Sequence, residues 1–346
     1  MAQFRRSQIK GVGHYVPEKI YRNDDLSKMM DTSDEWIRER TGIQQRHIAS
    51  VEQGTSDLGT KAAQEALRKA NTAPEEIDLI LAATLSPDYY FPGIGVLIQR
   101  NLGKKTIPAI DLRGQCSGFA WGLATADAYI RSGIHKKVLV VGAEVHSRVI
   151  EFSNRGRDVS VLFGDAGGAA VVEGVDCSID EMPKVDNEFR GMIDHEMGSD
   201  GTGAEQLAIL RPGFKAGESS FITGTEAENK AYLPVMDGRF VFKNAVARML
   251  EAVSKILKRN GISPQDIDLL VPHQANIRIN EMVRQKLEIA PEKVFNNIHK
   301  YGNTTSATLP MCLSEAEAEG KLKKGALVMT AAFGSGFTWG ANLIRW

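Results

Sequence analysis

An internal repeat is the feature that most constrains how this chain can fold. The segment PEEIDLI at Pro74–Ile80 recurs as PQDIDLL at Pro264–Leu270, an offset of 190 residues. In both places a helical apolar pattern precedes a short apolar run that is typical of a buried strand. Further on, KKVLVV is echoed by KKGALVM, and FGD by FGS. The sequence therefore predicts two diverged copies of one strand–helix unit, residues 1–178 and 179–346.

The alternation of strand and helix patterns predicts the fold class. Apolar strands separated by amphipathic helices indicate an α/β protein whose mainly parallel sheets are covered by helices. Residues 187–238 have no counterpart in the first copy and are rich in Gly, Ser, Thr and charged residues. We expect strands there, together with a long surface excursion over about residues 200–236, near the mouth of a site.

A candidate nucleophile lies between a predicted strand and a predicted helix. Ile107–Leu112 is apolar enough for a buried strand, and apolar residues recur with helical spacing from Phe119 to Ile130. Between them, Cys116 stands in GQCSG, where flanking glycines are typical of a sharp turn that presents a nucleophile. Because a helix N-terminus favours a thiolate, we expect the pKa of Cys116 to lie below its usual value of ~8.5.

Composition excludes several classes of function. The formal net charge of −1 gives no sign of a nucleic-acid or membrane-surface partner. Three widely spaced cysteines argue against a disulfide framework and for a reducing compartment. The N-terminal segment lacks the apolar core of a signal peptide, and no apolar run approaches membrane-spanning length. We therefore expect a cytoplasmic protein. The histidines show no metal-ligand spacing, so no metal is expected.

Two further polar residues fall at places where α/β proteins build sites. His273 follows the apolar run LLVP, at the carboxyl end of a predicted strand. Asn303 lies 23 residues before Ala326, much as Cys116 lies 22 residues before Val138. These two residues thus occupy matching turns of the repeat, and we expect the turns to face each other across a pseudo-twofold axis.

The segment DTSDEWIRERTGI, residues 31–43, predicts a helix with a possible binding face. Thr32 and Glu35 have the spacing of a capping box. Trp36 and Arg40 are four residues apart and therefore share one face of the helix. From the residues alone, this pair either holds a planar base and its phosphates or simply packs on the domain.

Several motifs together resemble one enzyme family. TSDEWI, GDAGGAAVV, VPHQAN, GNTTSA and FGSGFTWG occur in that order over nearly the whole chain. In this respect the sequence resembles β-ketoacyl-acyl carrier protein synthase III, a thiolase-fold condensing enzyme. The resemblance implies a homodimer in which each subunit is a five-layer αβαβα sandwich of two duplicated halves.

The resemblance also implies a decarboxylating Claisen condensation. Cys116 would be acylated by an acyl-CoA primer, which acts as a substrate, so that no metal or redox cofactor is needed. His273 and Asn303 would donate hydrogen bonds to the enolate that forms when malonyl-acyl carrier protein loses CO₂. The backbone N–H groups of Cys116 and Ser335 would hold the oxyanion.

Further residues take binding roles by resemblance alone. Arg155 and Arg157 compete for one position against the CoA adenine, and both are kept. Phe91, in Tyr89–Phe91, would reach the acyl pocket from across the dimer. The CoA-binding candidates are Thr32, Trp36, Arg40, Arg155, Arg157 and Asn276, the acyl-pocket candidates are Phe91 and Phe333, and the candidates for docking acidic carrier protein are Lys243, Arg278 and Lys286.

Departures from the family pattern leave the primer and some alternatives open. Ser335 stands where the family commonly has glycine, and serine tolerates positive φ poorly. The LRGQ stretch before Cys116 is more polar than usual for the family. The alternatives are an acyl-CoA-dependent acyltransferase or a head-to-head condensing enzyme of secondary metabolism, a cysteine hydrolase with a nucleophile elbow, and a partner subunit without activity.

Overall fold

The computed structural model describes residues 4–103, 106–210 and 233–346. Its strands, in chain order, are β1 (Phe4–Tyr15), β2 (Lys19–Arg22), β3 (Gln45–Ile48), β4 (Leu79–Ala83), β5 (Ala109–Leu112), β6 (Lys137–Glu144), β7 (Ala166–Cys177), β8 (Gly191–Ser199), β9 (Leu207–Ala208), β10 (Val235–Met236), β11 (Leu269–Pro272), β12 (Leu327–Gly334) and β13 (Thr338–Arg345). Its helices are α1 (Asn23–Leu26), α2 (Asp34–Thr41), α3 (Thr55–Lys69), α4 (Ile94–Asn101), α5 (Gly118–Arg131), α6 (Arg157–Ser160), α7 (Gly238–Asn260), α8 (Ile277–Lys286), α9 (Ile298–Tyr301) and α10 (Thr308–Ala318).

The two copies of the repeat form two sheets of matching strand order. The first sheet runs β1-β7-β6-β4-β5, and the second runs β8-β13-β12-β11. The sheets are mixed: β4 is parallel to β5 and β6, and β11 to β12, whereas the remaining neighbours are antiparallel. The prediction of mainly parallel sheets is therefore wrong. The reason is that β7 and β13 each run back alongside the strand that precedes them, β6 and β12, as antiparallel neighbours.

The packing of helices on these sheets gives five layers. Helices α5 and α10 lie in the central core between the two sheets, where they pack against apolar residues of both. Helices α3 and α4 cover the outer face of the first sheet, and α7 and α8 cover that of the second. On α5 the predicted apolar face is confirmed, because Phe119, Leu123, Ala126 and Ile130 are fully buried. Among the described residues, no helix is both long and apolar enough to cross a membrane.

The 190-residue offset also holds in the turns that enter α5 and α10. A short 3₁₀ turn precedes each helix, at Gln115–Ser117 and at Thr305–Ala307. Both turns open on a residue with left-handed backbone, Gln115 with φ of 51° and Thr305 with φ of 53°. The offset thus pairs Cys116 with Ser306. The boundary between residues 178 and 179 falls just after β7 and stays a prediction.

Strand β5 differs from the predicted buried strand at Ile107–Leu112. It begins at Ala109 and lies at the edge of the first sheet, where β4 is its neighbour. Ile110 is 40% exposed, because among the described residues no further strand covers that side of the sheet. The segment is therefore a partly exposed edge strand, and not the buried strand that its apolar composition predicts.

One glycine marks how closely the two halves approach. A Cβ placed on Gly142 of β6 would lie 2.3 Å from the backbone oxygen of Ser306. That contact is with main chain, so it is not relieved by a side-chain rotation. The second half therefore packs directly on the backbone of β6, in the layer that carries the turn after Asn303.

We predict that Gly142→Ala destabilises the protein by about 1–3 kcal/mol, because overpacking must displace the Ser306 backbone. Chemical unfolding followed by circular dichroism measures the change. Gly201→Ala is the matched control, since a Cβ at Gly201 meets nothing within 4 Å. Equal midpoints for the two variants would contradict the proposed close contact.

Candidate active site

The three predicted catalytic residues line one cavity of about 400 Å³. Cys116, His273 and Asn303 meet there, although they come from three separate loops of the two halves. The cavity extends to the surface helix α2, where Trp36 and Arg40 are part of its lining. A long substrate arm could therefore reach from that helix to the sulfur of Cys116.

Cys116 is placed by its 3₁₀ turn and by the loop between β12 and β13. Its own backbone N–H and that of Ser335 lie close enough to the sulfur to hydrogen-bond with it and to lower its pKa. The loop approaches so closely that a Cβ on Gly334 would lie 2.8 Å from the Cys116 nitrogen. In this loop the residue with positive φ is Gly336, at 129°, so Ser335 is accommodated without strain.

The prediction that the pKa of Cys116 is lowered is wrong. Burial, with a smaller contribution from the nearby carboxylate of Glu144, raises it to about 12. Only 8% of the residue is exposed, so a thiolate would lose most of its hydration, and the two backbone N–H groups do not compensate for that loss. In the free protein Cys116 is therefore a neutral thiol at neutral pH.

His273 stands at the carboxyl end of β11 and is a neutral imidazole. Burial lowers its pKa to about 3. Its Nδ1 lies 2.7 Å from Thr308 Oγ1, and that oxygen also lies 3.0 Å from the backbone oxygen of Thr305. Its Nε2 is buried and has no hydrogen-bond partner among the described residues. This ring nitrogen is therefore free to bind a ligand in the cavity.

Asn303 is fixed by hydrogen bonds to both its backbone and its side chain. Its N–H donates to the backbone oxygen of Leu162 (2.8 Å), and its own oxygen accepts from the N–H of Gly164 (3.1 Å). Its side-chain Oδ1 accepts from the N–H of Thr305 at 2.9 Å. Because Oδ1 is occupied, the amide nitrogen is the group that remains to donate to a ligand.

The carboxylate of Glu144, at the end of β6, lies buried beneath this site. It accepts hydrogen bonds from Thr84, Leu85 and Ser86 of the first half and from Ser306 of the second. Burial raises its pKa to about 7, although these donors oppose the shift. The carboxylate thus joins the loop after β4 to the turn that follows Asn303.

Helix α2 is predicted correctly, but its cap is not. The side chain of Ser33, rather than Thr32, accepts a hydrogen bond from the N–H of Trp36 at 3.1 Å. In the sequence TSDE either hydroxyl residue fits a cap, and the chain uses the one directly before Asp34. Thr32 Oγ1 is left buried without a hydrogen-bond partner among the described residues.

The indole of Trp36 lies between basic side chains. The guanidinium of Arg40 is 4.7 Å from the ring centroid, and that of Arg157 is 5.7 Å away. Arg155 is instead paired with Glu151. The structure therefore brings Arg157, of the two competing arginines, to the indole.

Asn276 lies in the same cavity and connects α2 to α8. Its Nδ2 donates to the backbone oxygen of Arg40 at 3.0 Å, and its Oδ1 accepts from the N–H of Arg278 at 2.9 Å. It thus fixes α2 against the first turn of α8, beside Trp36.

A second cavity, of about 290 Å³, also opens at Cys116. Phe163 lines both cavities, whereas Phe333 lines the first and not the second. Phe91 is 81% exposed and lines neither, so the described chain by itself does not bring Phe91 to an acyl pocket. The remaining described lining of the second cavity is Leu85, Arg113, Gln115, His146, Ala204, Leu207, Ala208, Ile209, Pro234, Ser335 and Gly336.

The three candidates for carrier-protein docking lie on two neighbouring helices. Lys243 is exposed on α7, and Arg278 and Lys286 are exposed on α8, which packs against α7. Within the described parts of the chain, none of the three forms an ion pair with an acidic residue. They are therefore available to an acidic partner.

Comparison with known proteins shows the family to which the chain belongs. The 3-oxoacyl-[acyl-carrier-protein (ACP)] synthase III profile matches residues 110–201, and the C-terminal profile of the same family matches residues 257–346. The beta-ketoacyl-[acyl-carrier-protein] synthase III of Caldanaerobacter subterraneus subsp. tengcongensis is 43% identical over 98% of this chain and 97% of its own. This chain belongs to the 3-oxoacyl-[acyl-carrier-protein] synthase III family. It is a condensing acyltransferase with the thiolase fold.

Solved structures of synthase III enzymes superpose on most of the chain. The Aquifex aeolicus VF5 enzyme is 40% identical, with a TM-score of 0.86 over 98% of this chain and 100% of its own. The priming beta-ketosynthase from the R1128 polyketide biosynthetic pathway is 31% identical, with a TM-score of 0.86 over 99% and 97% of the two chains.

The hydrolase alternative is opposed by the partner of the histidine. In this synthase III chain, Nδ1 of His273 contacts the hydroxyl of Thr308, whereas the hydrolase triad needs a carboxylate there. The comparisons likewise favour the condensing enzyme over the transferase and head-to-head alternatives.

Sequence reasoning assigned no role to Thr308, Glu144 or His146, all of which lie at the site. Of these three residues, only Thr308 could have been found from the sequence, because it directly follows the GNTTSA motif. The predicted excursion over residues 200–236 falls largely on 211–232, outside the described residues.

We predict that alkylation of Cys116 by iodoacetamide accelerates about tenfold for each unit of pH between 7 and 9.5, without a plateau. Below a pKa of about 12, the thiolate fraction grows tenfold per unit. Mass spectrometry of the Cys116 peptide at timed intervals measures the rate, and the Cys177 peptide provides an internal control. A plateau near neutral pH would contradict the raised pKa.

Proposed function

We propose that this synthase III condenses an acyl-CoA primer with malonyl-acyl carrier protein through an acyl-Cys116 intermediate. One observation carries the proposal. A single cavity joins the Trp36–Arg40 face at the surface to Cys116, His273 and Asn303 in the interior. Such a cavity suits a thioester arm whose nucleotide stays outside while its acyl group reaches the sulfur.

In the first half-reaction Cys116 takes up the acyl group. Its sulfur attacks the thioester carbon, the bond from that carbon to the CoA sulfur breaks, and the thiol proton leaves on CoA. Negative charge on the carbonyl oxygen is held by the N–H groups of Cys116 and Ser335, each donor typically worth ~10²–10³ in rate. Since the starting thiol is neutral, the proton moves as the carbon–sulfur bond forms.

In the second half-reaction His273 and Asn303 act on the malonyl thioester. The bond to its carboxylate breaks, CO₂ leaves, and the electron pair forms an enolate whose oxygen accepts hydrogen bonds from both residues. The enolate carbon attacks the acyl carbon and the bond to Cys116 breaks. The released thiolate takes a proton from solvent, so the whole reaction consumes one proton.

The hydroxyl of Thr308 determines which imidazole nitrogen carries the proton. It has one proton and two acceptors within reach, Nδ1 of His273 and the backbone oxygen of Thr305. If the hydroxyl proton goes to Thr305, Nδ1–H donates to Thr308 and Nε2 can only accept. The enolate role proposed for His273 requires the other arrangement, in which Thr308 donates to Nδ1 and Nε2 carries the hydrogen. We therefore assign Thr308 as a positioning residue for His273.

The CoA nucleotide would bind on the outer face of α2. The indole of Trp36 offers a stacking surface for adenine, and the guanidinium groups of Arg40 and Arg157 lie where they can hold phosphates or complete the stack. Asn276 supports this face, and Thr32, directly before the capping residue Ser33, remains a further candidate contact.

The assembly and the partners are inferred from exposed surfaces. Edge strand β5 is uncovered, and the exposed apolar residues near that sheet edge are typical of an interface, which supports a homodimer. Lys243, Arg278 and Lys286 would dock the acidic carrier protein. We expect no metal or redox cofactor and a cytoplasmic location. The exposed apolar residues are Tyr89, Tyr90, Phe91, Val96 and Ile110.

One experiment tests the chemistry directly. The protein is incubated with a panel of acyl-CoAs, then with malonyl-acyl carrier protein, while intact mass and CO₂ release are recorded. We predict that Cys116→Ala abolishes loading, because the nucleophile is absent. Asn303→Ala should load normally but lose about 10²–10³ of the condensation rate, because one enolate donor is removed.

The outcomes separate the alternatives. Loading of the wild-type protein without CO₂ release would favour a plain acyltransferase, and release of free acid would favour a hydrolase. If the Asn303 variant condensed at the wild-type rate, the role given to Asn303 would be wrong.

The two arginines near α2 offer a matched test of the CoA site. We predict that Arg157→Ala raises the KM for acyl-CoA about fivefold or more, because its guanidinium lies beside the indole. Arg155→Ala should change the KM less than twofold, because Arg155 is engaged with Glu151. Steady-state kinetics with varied acyl-CoA measure both, and a larger effect for Arg155 would reverse the assignment.

A further inference from the structure

The second cavity contains a buried imidazole that the proposed mechanism does not use. His146 follows β6, is 3% exposed, and stacks on the ring of Phe163 with centroids 4.3 Å apart. Both rings line the cavity that opens at Cys116. Its Nδ1 is buried and has no hydrogen-bond partner among the described residues.

The contact made by the other ring nitrogen determines whether Nδ1 is a hydrogen-bond donor or an acceptor. Nε2 lies 2.7 Å from Thr305 Oγ1, and the described hydrogen bonds give that hydroxyl no other acceptor. If the hydroxyl donates to Nε2, only Nδ1–H is left unpaired, whereas the opposite tautomer leaves both the hydroxyl proton and Nδ1 unpaired. We therefore place the ring hydrogen on Nδ1. Burial lowers the pKa of His146 to about 3, so the ring stays neutral. Nδ1 is thus a neutral donor without an acceptor.

The rest of the cavity is lined by both apolar and polar side chains. Leu85, Phe163 and Leu207 supply apolar contacts, while Arg113 and Gln115 bring polar groups to the same space. These last two belong to the polar LRGQ stretch before Cys116. A purely hydrocarbon chain would leave the buried Nδ1 hydrogen unpaired, which is unfavourable.

We propose that this cavity holds the primer's acyl chain and that His146 selects primers whose chain carries a hydroxyl or oxo oxygen. The inference rests on the proposed function, since it assumes that the acyl group is carried on Cys116. The oxygen accepts from Nδ1–H, while the carbons pack on Phe163 and Leu85. His146 is thus a specificity determinant, and no step of the condensation passes through it.

The test compares primers of equal carbon number. Acylation of Cys116 by butyryl-CoA, 3-hydroxybutyryl-CoA and 4-hydroxybutyryl-CoA is followed by intact mass under single-turnover conditions. We expect at least one hydroxylated primer to load about tenfold faster than butyryl-CoA, as a site with an unpaired donor discriminates against the analogue that lacks the acceptor. His146→Leu should abolish this advantage and speed loading of butyryl-CoA.

Two amide variants locate the responsible nitrogen. His146→Asn places an amide near the position of Nδ1 and should keep most of the preference. His146→Gln places its amide near the position of Nε2, retains the contact with Thr305, and should lose the preference.

Each result bears on a different part of the argument. If butyryl-CoA loads at least as fast as both hydroxylated primers, the inference about His146 is overturned while the proposed function stands. If the preference survives in His146→Leu, another residue causes it and the assignment is wrong. If no acyl-CoA loads on Cys116 at all, the proposed function fails and this inference fails with it.

Discussion

The buried carboxylate of Glu144 is the interaction on which the geometry of the site depends. It accepts hydrogen bonds from the loop after β4 in one half and from Ser306 in the other. Ser306 is the counterpart of Cys116 in the repeat, so the tie anchors the turn of the second half that matches the Cys116 turn. A buried carboxylate without these donors would be strongly unfavourable, and the two halves must therefore keep this arrangement. Through Ser306 it also holds the turn that orients the side chain of Asn303.

Burial gives the site a chemistry of neutral groups. Cys116 is a thiol and His273 an uncharged imidazole because neither can be hydrated when charged. Such a cavity penalises the carboxylate of a malonyl thioester and favours its departure as uncharged CO₂. The negative charge that remains spreads onto the enolate oxygen, where fixed dipoles of an amide and an imidazole can meet it without rearranging. Hydrogen-bond donors thus replace the cations that an open site would use.

Much of this site could be predicted from the sequence because the repeat relates its parts. Cys116 and Asn303 could be placed in matching turns from spacing alone, and His273 from the strand that precedes it. The raised pKa of Cys116 could not be predicted from the sequence. It depends on burial by the loop after β12 and on Glu144, and both are distant from Cys116 in sequence. The cap at Ser33 instead of Thr32, the uncovered edge at Ile110, and the proximity of Arg157 to Trp36 likewise depend on tertiary contacts.

In the proposed reaction, the two cavities that meet at Cys116 serve different substrate arms. The first leads to the surface at α2 and must admit a CoA arm and later a carrier-protein arm, so it must empty between the half-reactions. The second cavity does not have to empty between the half-reactions. The acyl group that it holds stays attached to the sulfur until the condensation is complete. Under this proposal, selection among primers falls to residues of the second cavity, whereas residues of the first must tolerate both arms. Phe163, which lines both cavities, stands at the junction and packs on His146. A change in that ring stack would alter primer choice without touching His273 or Asn303.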